Sequence, residues 1–297
     1  MRLGVVFPTT SIGSDPSAIR DFAQGVEELG FDHLVCYDHV LGASHESRNP
    51  PLNGPYDESH EFHEPFVLLA WIAAHTKRLQ LFPAVIVAPQ RQTALMAKQA
   101  TELQNLSSGR LRLGIGVGWN WVEYESLNAN FAARAAVILE QTEVLRNLWN
   151  QRLVDFRGEF HRIDRAGIAP LPGWPIPLWF GGYTNASFIR TARYGDGHVF
   201  GHLNEATFRG ALAISRAVAS EGQPGKQLGL EAIMDFSLHQ REWDPSAHRW
   251  KAGGGTHLSV RTESTRGVKD SGCHNVDSHL RAFAIWRQTM IAAGLGD

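Results

Sequence analysis

Asp38 and His39 stand side by side where an apolar run ends, and a carboxylate next to an imidazole can exchange protons with a bound molecule. At a strand end the same dipeptide also serves as a turn-forming hydrogen-bond pair, and both readings stand. In the catalytic one, His39 is the acid or base and Asp38 orients it. Phe82-Pro83-Ala84-Val85 places a proline inside a run that reads as a central strand. Proline cannot donate to a sheet ladder, so a bulge near Pro83 is expected. Bulges gather beside active sites, and they also let a barrel close. Gly114 to Trp119 alternates glycine with branched residues, which bares one side of the backbone for a flat ligand or for tight packing. Its spacing fits neither a dinucleotide fingerprint nor a phosphate-binding lysine loop. Gly181 to Ser187 follows an apolar run and opens a helical pattern, so its amides could hold a phosphate or simply form an N-cap. His60 and His63 sit three apart among carboxylates, but Pro65 follows at once and the i, i+4 spacing of a helical metal pair is missing. A solvated loop is the better reading there, and no metal is assigned. A metal-dependent hydrolase using Asp38, His39, His60 and His63 remains the alternative. Trp119 and Trp121, beside the glycine run, are the tryptophans placed near a ligand.

These residues need elements to position them. Leu3–Phe7 reads as a buried strand. A helix follows, opened by Asp15-Pro16, with Ile19, Phe22, Ala23, Val26 and Leu29 on one face and Gly30 as its stop. The alternation continues with strand Phe31–Tyr37, helix Phe66–His75, strand Leu79–Val87, helix Thr93–Leu106, strand Leu111–Val117 and helix Ala132–Trp149. After these come strand Pro177–Gly181, helix Ser187–Tyr194, strands Gly197–Phe200, Gly229–Phe236 and Thr256–Val260, and a closing helix Val276–Ala293. About eight strands alternating with helices imply a TIM (β/α)8 barrel, read as a single domain over residues 1–297. A doubly wound open sheet is the runner-up, and it lacks its GxGxxG after the first strand. The longest irregular stretch, Leu41–Glu64, follows the second strand and so becomes a loop insertion at the C-terminal face, where barrel loops carry chemistry.

Composition narrows the partners. The chain has 297 residues, 43% of them apolar and 20% charged, and a formal net charge of -2, so it has no excess of cations to track a nucleic acid. No apolar run approaches the roughly 20 residues that span a bilayer, and the opening MRLGVVFPTT carries no export pattern, which gives a cytoplasmic expectation. The two cysteines, Cys36 and Cys273, are in no CxxC spacing and read as reduced thiols.

Taken in order, LVCYDH (34–39), LQLFPAVIVAPQR (79–91), AKQA (97–100), LSSGRLRLGIGVGW (106–119), FRG (156–158), residues 176–182, YGDG (194–197) and GTHLS (255–259) resemble the luciferase-like flavin oxidoreductases. That group includes bacterial luciferase and the deazaflavin (F420) dependent enzymes. The resemblance implies a TIM barrel that binds F420 or FMN at its C-terminal mouth. It implies a non-prolyl cis peptide backing the ring at Ala84–Val85, with Gly116, Gly118 and Trp119 also at the cofactor. Asp38 and His39 would lie beside ring and substrate. Gly181 and Gly182, with Gly197 to Gly201, would form the phosphate-side cradle. Trp119 stands where the sugar-phosphate dehydrogenase branch has a glutamate, so that branch's substrate is not carried over. The implied reaction is hydride transfer between the cofactor and a small organic substrate. Alternatives are an FMN-dependent monooxygenase fed by a flavin reductase and using oxygen, and a non-catalytic flavin-binding homologue. F420's acidic tail would call on Arg48 and Arg91 at the rim. A homodimer is implied by the resemblance alone.

Overall fold

Short branched runs become the staves of one parallel sheet and the amphipathic segments between them become helices on its outside, as period-2 and period-3.6 patterning requires. The computed structural model describes residues 1–221, 225–263 and 271–296. The first half runs β1 (Arg2–Val6), α1 (Pro16–Glu28), β2 (His33–Cys36), α2 (Pro65–His75), β3 (Gln80–Pro83), β4 (Ile86–Val87), a 3-10 turn (Ala88–Gln90), α3 (Thr93–Leu106), β5 (Leu113–Gly116), α4 (Trp121–Ser126) and α5 (Arg134–Asn150). The second half runs β6 (Val154–Arg157), β7 (Arg162–Ala166), β8 (Leu178–Gly181), α6 (Asn185–Tyr194), β9 (Gly197–Phe200), α7 (Glu205–Ser220), β10 (Gly229–Asp235), α8 (Gln240–Ala252), β11 (His257–Arg261) and α9 (Val276–Ala292).

The sheet order is β3-β2-β1-β11-β10-β9-β8-β5-β4, parallel throughout. Because β3 and β4 are two halves of one stave, the sheet closes on itself as an eight-staved TIM barrel, and a Leu81–Leu111 bridge completes the seam. The two halves flank a cis peptide between Ala84 and Val85. The irregularity expected near Pro83 lies directly after it: Pro83 stays in register with Cys36 and closes β3, and the stave is interrupted at Ala84–Val85 before β4 resumes it. β6 and β7 form an antiparallel hairpin outside the barrel, unforeseen as structure in the sequence.

The caps follow the sequence signals. Asp15 accepts from the Ser17 amide ahead of Pro16, and Glu64 does the same for Val67 ahead of Pro65, so both helices start on a side-chain cap and an N-terminal proline. Gly30, with φ of +81°, ends the first helical stretch in a conformation that costs other residues more.

Side chains alternate between the helix layer and the barrel interior. Leu34, Cys36, Leu258, Val260, Leu230, Ala232 and Met234 join the large outer core, while Val6, Val35, Phe82, Trp179, Val199 and Ile233 form a second apolar cluster inside the barrel. Below that inner cluster lies a buried polar layer. His33 Nε2 is 2.8 Å from Glu231 and 2.9 Å from Ser259, and Arg112 pairs with Glu231 at 2.8 Å. The Arg112 guanidinium lies between the rings of Phe82 (3.7 Å) and Trp179 (4.2 Å). Burial opposes ionisation of Glu231, but His33 and Arg112 outweigh it and hold the carboxyl far below its usual range. The barrel is thereby plugged from beneath, which leaves its C-terminal end to carry an opening.

Candidate active site

The inward positions above the apolar layer are Tyr37 on the stave of β2, Ala84 between β3 and β4, Gly116, Gly181 and Gly201 on the glycine-bearing staves, and Asp235 and Arg261 at the ends of β10 and β11. Around them opens a cavity of about 480 Å³, within the range of cofactor sites. Ala84, Val85, Val199 and Ile233 form its apolar floor, and Gly116, Gly118, Gly181, Gly182 and Gly201 line it with bare backbone. The glycines are required by Val85: a Cβ on Gly116 would come within 2.5 Å of it, and one on Gly181 within 2.8 Å. A Cβ on Gly201 would meet nothing within 4 Å, so this position is open space. Tyr37, Tyr56, Trp119 and Tyr183 supply aromatic walls, and His39, His202 and Arg261 the polar ones.

His39 enters the mouth inside an aromatic cage, with edge-on contacts to Phe62 at 4.9 Å, Tyr56 at 5.4 Å and Trp119 at 5.5 Å. Its Nδ1 faces Glu123 Oε2 at 3.3 Å. Glu123 also accepts the Leu41 amide at 3.1 Å and the Val40 amide. Burial works against ionisation of this carboxyl, yet His39 and the two amides keep it below the usual range. An ionised Glu123 fixes the proton on Nδ1 and leaves Nε2 facing away from it with a lone pair.

Asp38 does not orient His39, contrary to the sequence expectation. Its carboxylate binds Arg91 through both oxygens, at 2.6 and 3.2 Å, and accepts the Val87 amide at 2.8 Å. Adjacent residues at a strand end point to opposite sides, so Asp38 turns away while Tyr37 and His39 turn in. Asp38 still borders the cavity, and its carboxylate pins the backbone just after the cis peptide. Arg91 is held further by Glu64 at 2.9 Å, and Arg48 donates to the Ser44 carbonyl at 3.0 Å with its guanidinium 5.9 Å from the Trp121 ring.

The glycine cradle is divided. Gly181, Gly182 and Gly201 border the cavity, but Gly197 lies at the opposite end of β9, where an added Cβ would come within 2.3 Å of Trp179. Gly197 is therefore a packing glycine under the barrel. The Gly182 carbonyl accepts from His198 Nε2 at 2.9 Å, and burial lowers His198 to about 4, so the ring stays neutral. At the start of α6, Thr184 and Ser187 cap each other's amides at 3.2 Å, which takes two of the N–H groups a phosphate would use.

The four residues of the metal alternative do not converge. His60 bonds Asp57 at 2.9 Å and His63 the Gly13 carbonyl at 3.1 Å, and among the described residues no group of three His, Cys, Asp or Glu could hold a metal ion. Trp121 does not line the cavity. Irregular residues 41–64 do cross the mouth: Pro55 and Tyr56 line it, and His45 Nε2 lies 2.9 Å from the Tyr56 carbonyl.

Sequence reasoning missed the far wall. Arg261 binds Asp235 through Nε at 2.8 Å and through Nη2, sits 3.1 Å from His202 Nδ1, and reaches Tyr37 Oη at 3.4 Å. Burial pushes Glu263, two residues on, up to about 7 against the pull of Arg261. A usable signal existed: β10 and β11 read Glu231, Asp235 and His257, Ser259, Arg261 at every second or fourth position, and polar residues so spaced in a buried strand must face a barrel interior. Glu123 had one as well, since Asn120 and Glu123 are spaced as a helix cap and its first turn.

The profile of the luciferase-like monooxygenase family matches residues 1–242. An uncharacterized protein of Mycobacterium tuberculosis is 34% identical over 184 residues, 60% of this chain and 63% of that protein. Pyrimidine monooxygenase RutA of Escherichia coli is 30% identical over 235 residues, 74% of this chain and 62% of RutA, so these matches span less than two thirds of either relative. An F420-dependent secondary alcohol dehydrogenase, solved with an F420–acetone adduct, superposes with a TM-score of 0.77 over 100% of this chain and 99% of its own at 15% identity, a likeness of fold. No helix among the described residues is long and apolar enough to cross a membrane.

Proposed function

Since the chain belongs to the luciferase-like monooxygenase family, we propose that its cavity seats the ring of a flavin-type cofactor against Ala84–Val85 and that the protein is an oxidoreductase acting on a small organic substrate. One observation carries this reading: a side-chain-free glycine wall and an apolar floor face a caged imidazole across a single mouth. Ala84, Val85, Gly116, Gly118, Trp119, Gly181, Gly182 and Gly201 would hold the cofactor, and the open position at Gly201 is space that a planar ring fills without displacing any side chain. The cofactor, when bound, supplies the redox chemistry. His39 delivers or removes a proton at Nε2, Glu123 fixes its tautomer, and the aromatic cage excludes water from it. Asp38 acts on the floor, by holding Arg91 and the Val87 amide.

FMN fits better than F420. The long acidic tail of F420 needs free cations at the rim, whereas Arg91 is committed to Asp38 and Glu64, and Arg48 to Ser44 and Trp121. A single phosphate without an acidic tail asks for fewer cations, and RutA is named a pyrimidine monooxygenase, the reaction class read here with FMN. With FMN the reaction is a monooxygenation that uses oxygen and a separate reductase to supply reduced cofactor. Hydride transfer with F420 is the second reading, favoured by an imidazole poised to protonate a reduced substrate. A homodimer in the cytoplasm belongs to either. Titration with FMN and F420 separately, followed by absorbance and fluorescence quenching, tests the reading: saturable binding of one supports it, and binding of neither overturns it. His39→Ala should then cut turnover by about 10²-fold or more while binding persists.

A further inference from the structure

We propose that Arg261 and Tyr37 form an oxygen-anchoring pair that takes the carbonyl group of an uncharged small substrate, an amide, imide or ketone, across the mouth from Ala84–Val85. The inference rests on the reading of the cavity given above and adds the substrate class.

Arg261 is the one Lys or Arg among the described residues that line the cavity. Its strand, β11, stands three staves from the cis peptide in one direction and five in the other, so it faces the floor from across the barrel. Asp235, its direct partner in register on β10, accepts from Nε and Nη2 through a single oxygen, and His202 meets Nη2 as well. The guanidinium is thus gripped along one edge. Among the described residues, the other end, Nη1, makes one hydrogen bond, the long 3.4 Å contact to Tyr37 Oη, and the side chain is 5% exposed. A guanidinium carries five N–H donors, and a donor turned to a cavity is met by water until a ligand acceptor replaces it. The phenol hydroxyl beside Nη1 is a second donor, and the separation of the two lets one carbonyl oxygen accept from both.

Charge decides which oxygen. Asp235 already neutralises Arg261, and Glu263 lies close by, so a carboxylate would add a buried negative charge with no counter-charge left for it. A neutral carbonyl gains the same hydrogen bonds without that cost. The flanking rings of Tyr56 and Tyr183 suit a planar group.

Ligand-observed NMR titration with benzamide and with benzoate, on cofactor-free and cofactor-loaded protein and on Tyr37→Phe and Arg261→Met, tests the pair. Benzamide is expected to bind at least about ten-fold more tightly than benzoate, to weaken about three- to ten-fold in Tyr37→Phe, and to weaken by more than about ten-fold in Arg261→Met. Should Arg261→Met not fold, Tyr37→Phe, which removes a single oxygen, carries the test. Benzoate binding as tightly as benzamide, or benzamide binding unchanged in Tyr37→Phe, overturns the proposal. If neither FMN nor F420 binds while benzamide still depends on Tyr37, the cofactor reading fails and the oxygen-anchoring pair stands.

Discussion

Replacing Arg112 by methionine removes the guanidinium that, together with His33, holds the buried Glu231 carboxylate in the barrel's lower layer. Arg112 is 1% exposed and Glu231 0%, and their pair at 2.8 Å lies within a guanidinium sandwich between Phe82 and Trp179. Breaking a buried pair and leaving one charge behind costs about 3–5 kcal/mol, because the remaining ion cannot regain its hydration. Methionine recovers part of the packing but none of the charge, so Arg112→Met should lose about 3–5 kcal/mol. With a urea dependence near 3 kcal/mol per molar, the upper end for small proteins, the midpoint should fall by about 1 M or more. The double variant Arg112→Met, Glu231→Gln should lose less than the two single losses added together, since the buried charge is then gone. Because the folded Glu231 titrates far below the unfolded carboxyl, its contribution is present above the unfolded pKa of about 4.5 and fades only as pH falls below it, so the Arg112→Met deficit should be flat from about pH 8 to pH 5. Urea unfolding followed by tryptophan fluorescence measures both effects. A loss below about 1 kcal/mol, or strict additivity in the double variant, would refute the argument that this layer is held by charge pairing.

Three further outcomes follow from the geometry. Glu123→Gln should lower turnover by about 10²-fold, because the amide no longer holds the proton on His39 Nδ1, and ¹⁵N chemical shifts of the ring should show the tautomer change; an unaltered tautomer would remove Glu123 from its role. His198, neutral and lowered from the ordinary 6.5 to about 4 by burial, binds its proton only in the unfolded chain between those values, so stability should fall as pH drops through 6.5 towards 4, by up to about 3 kcal/mol; His198→Asn should flatten that stretch of the pH–stability curve, and an unchanged slope would contradict it. Gly197→Ala should destabilise the fold by clashing with Trp179, with a drop in melting temperature as its readout and an unchanged melting temperature as the contrary result.

The barrel was legible because its staves and helices carry opposite periodicities: α3 was bounded at Thr93 and Leu106, and β9 at Gly197 and Phe200, on pattern alone. Two of the helices, α7 and α8, escaped notice. α8 keeps Trp243, Ala247 and Trp250 inside and carries Pro245 within it, which reads as a helix stop, and α7 turns inward Gly210, Ala211 and Ala217, small residues that do not mark a core face by type. The site was half legible. Glycines and a strand-ending histidine announce themselves, but the partner of His39 comes from a helix 84 residues away, a pairing that adjacency in sequence cannot reveal. Asp38 misled for a local reason: neighbours on a strand diverge, so the dipeptide that looks like a dyad is two residues with two jobs.

The central claim is that the glycine-walled mouth is the seat of a planar cofactor, and Gly201→Val tests it most directly. The new side chain enters open space, with nothing within 4 Å of its Cβ, so the melting temperature should stay within about 2 °C of the unmodified protein. FMN or F420, whichever saturates the unmodified protein in a fluorescence-quenching titration, should bind the variant at least about ten-fold more weakly. Equal affinity in the two proteins would contradict the account.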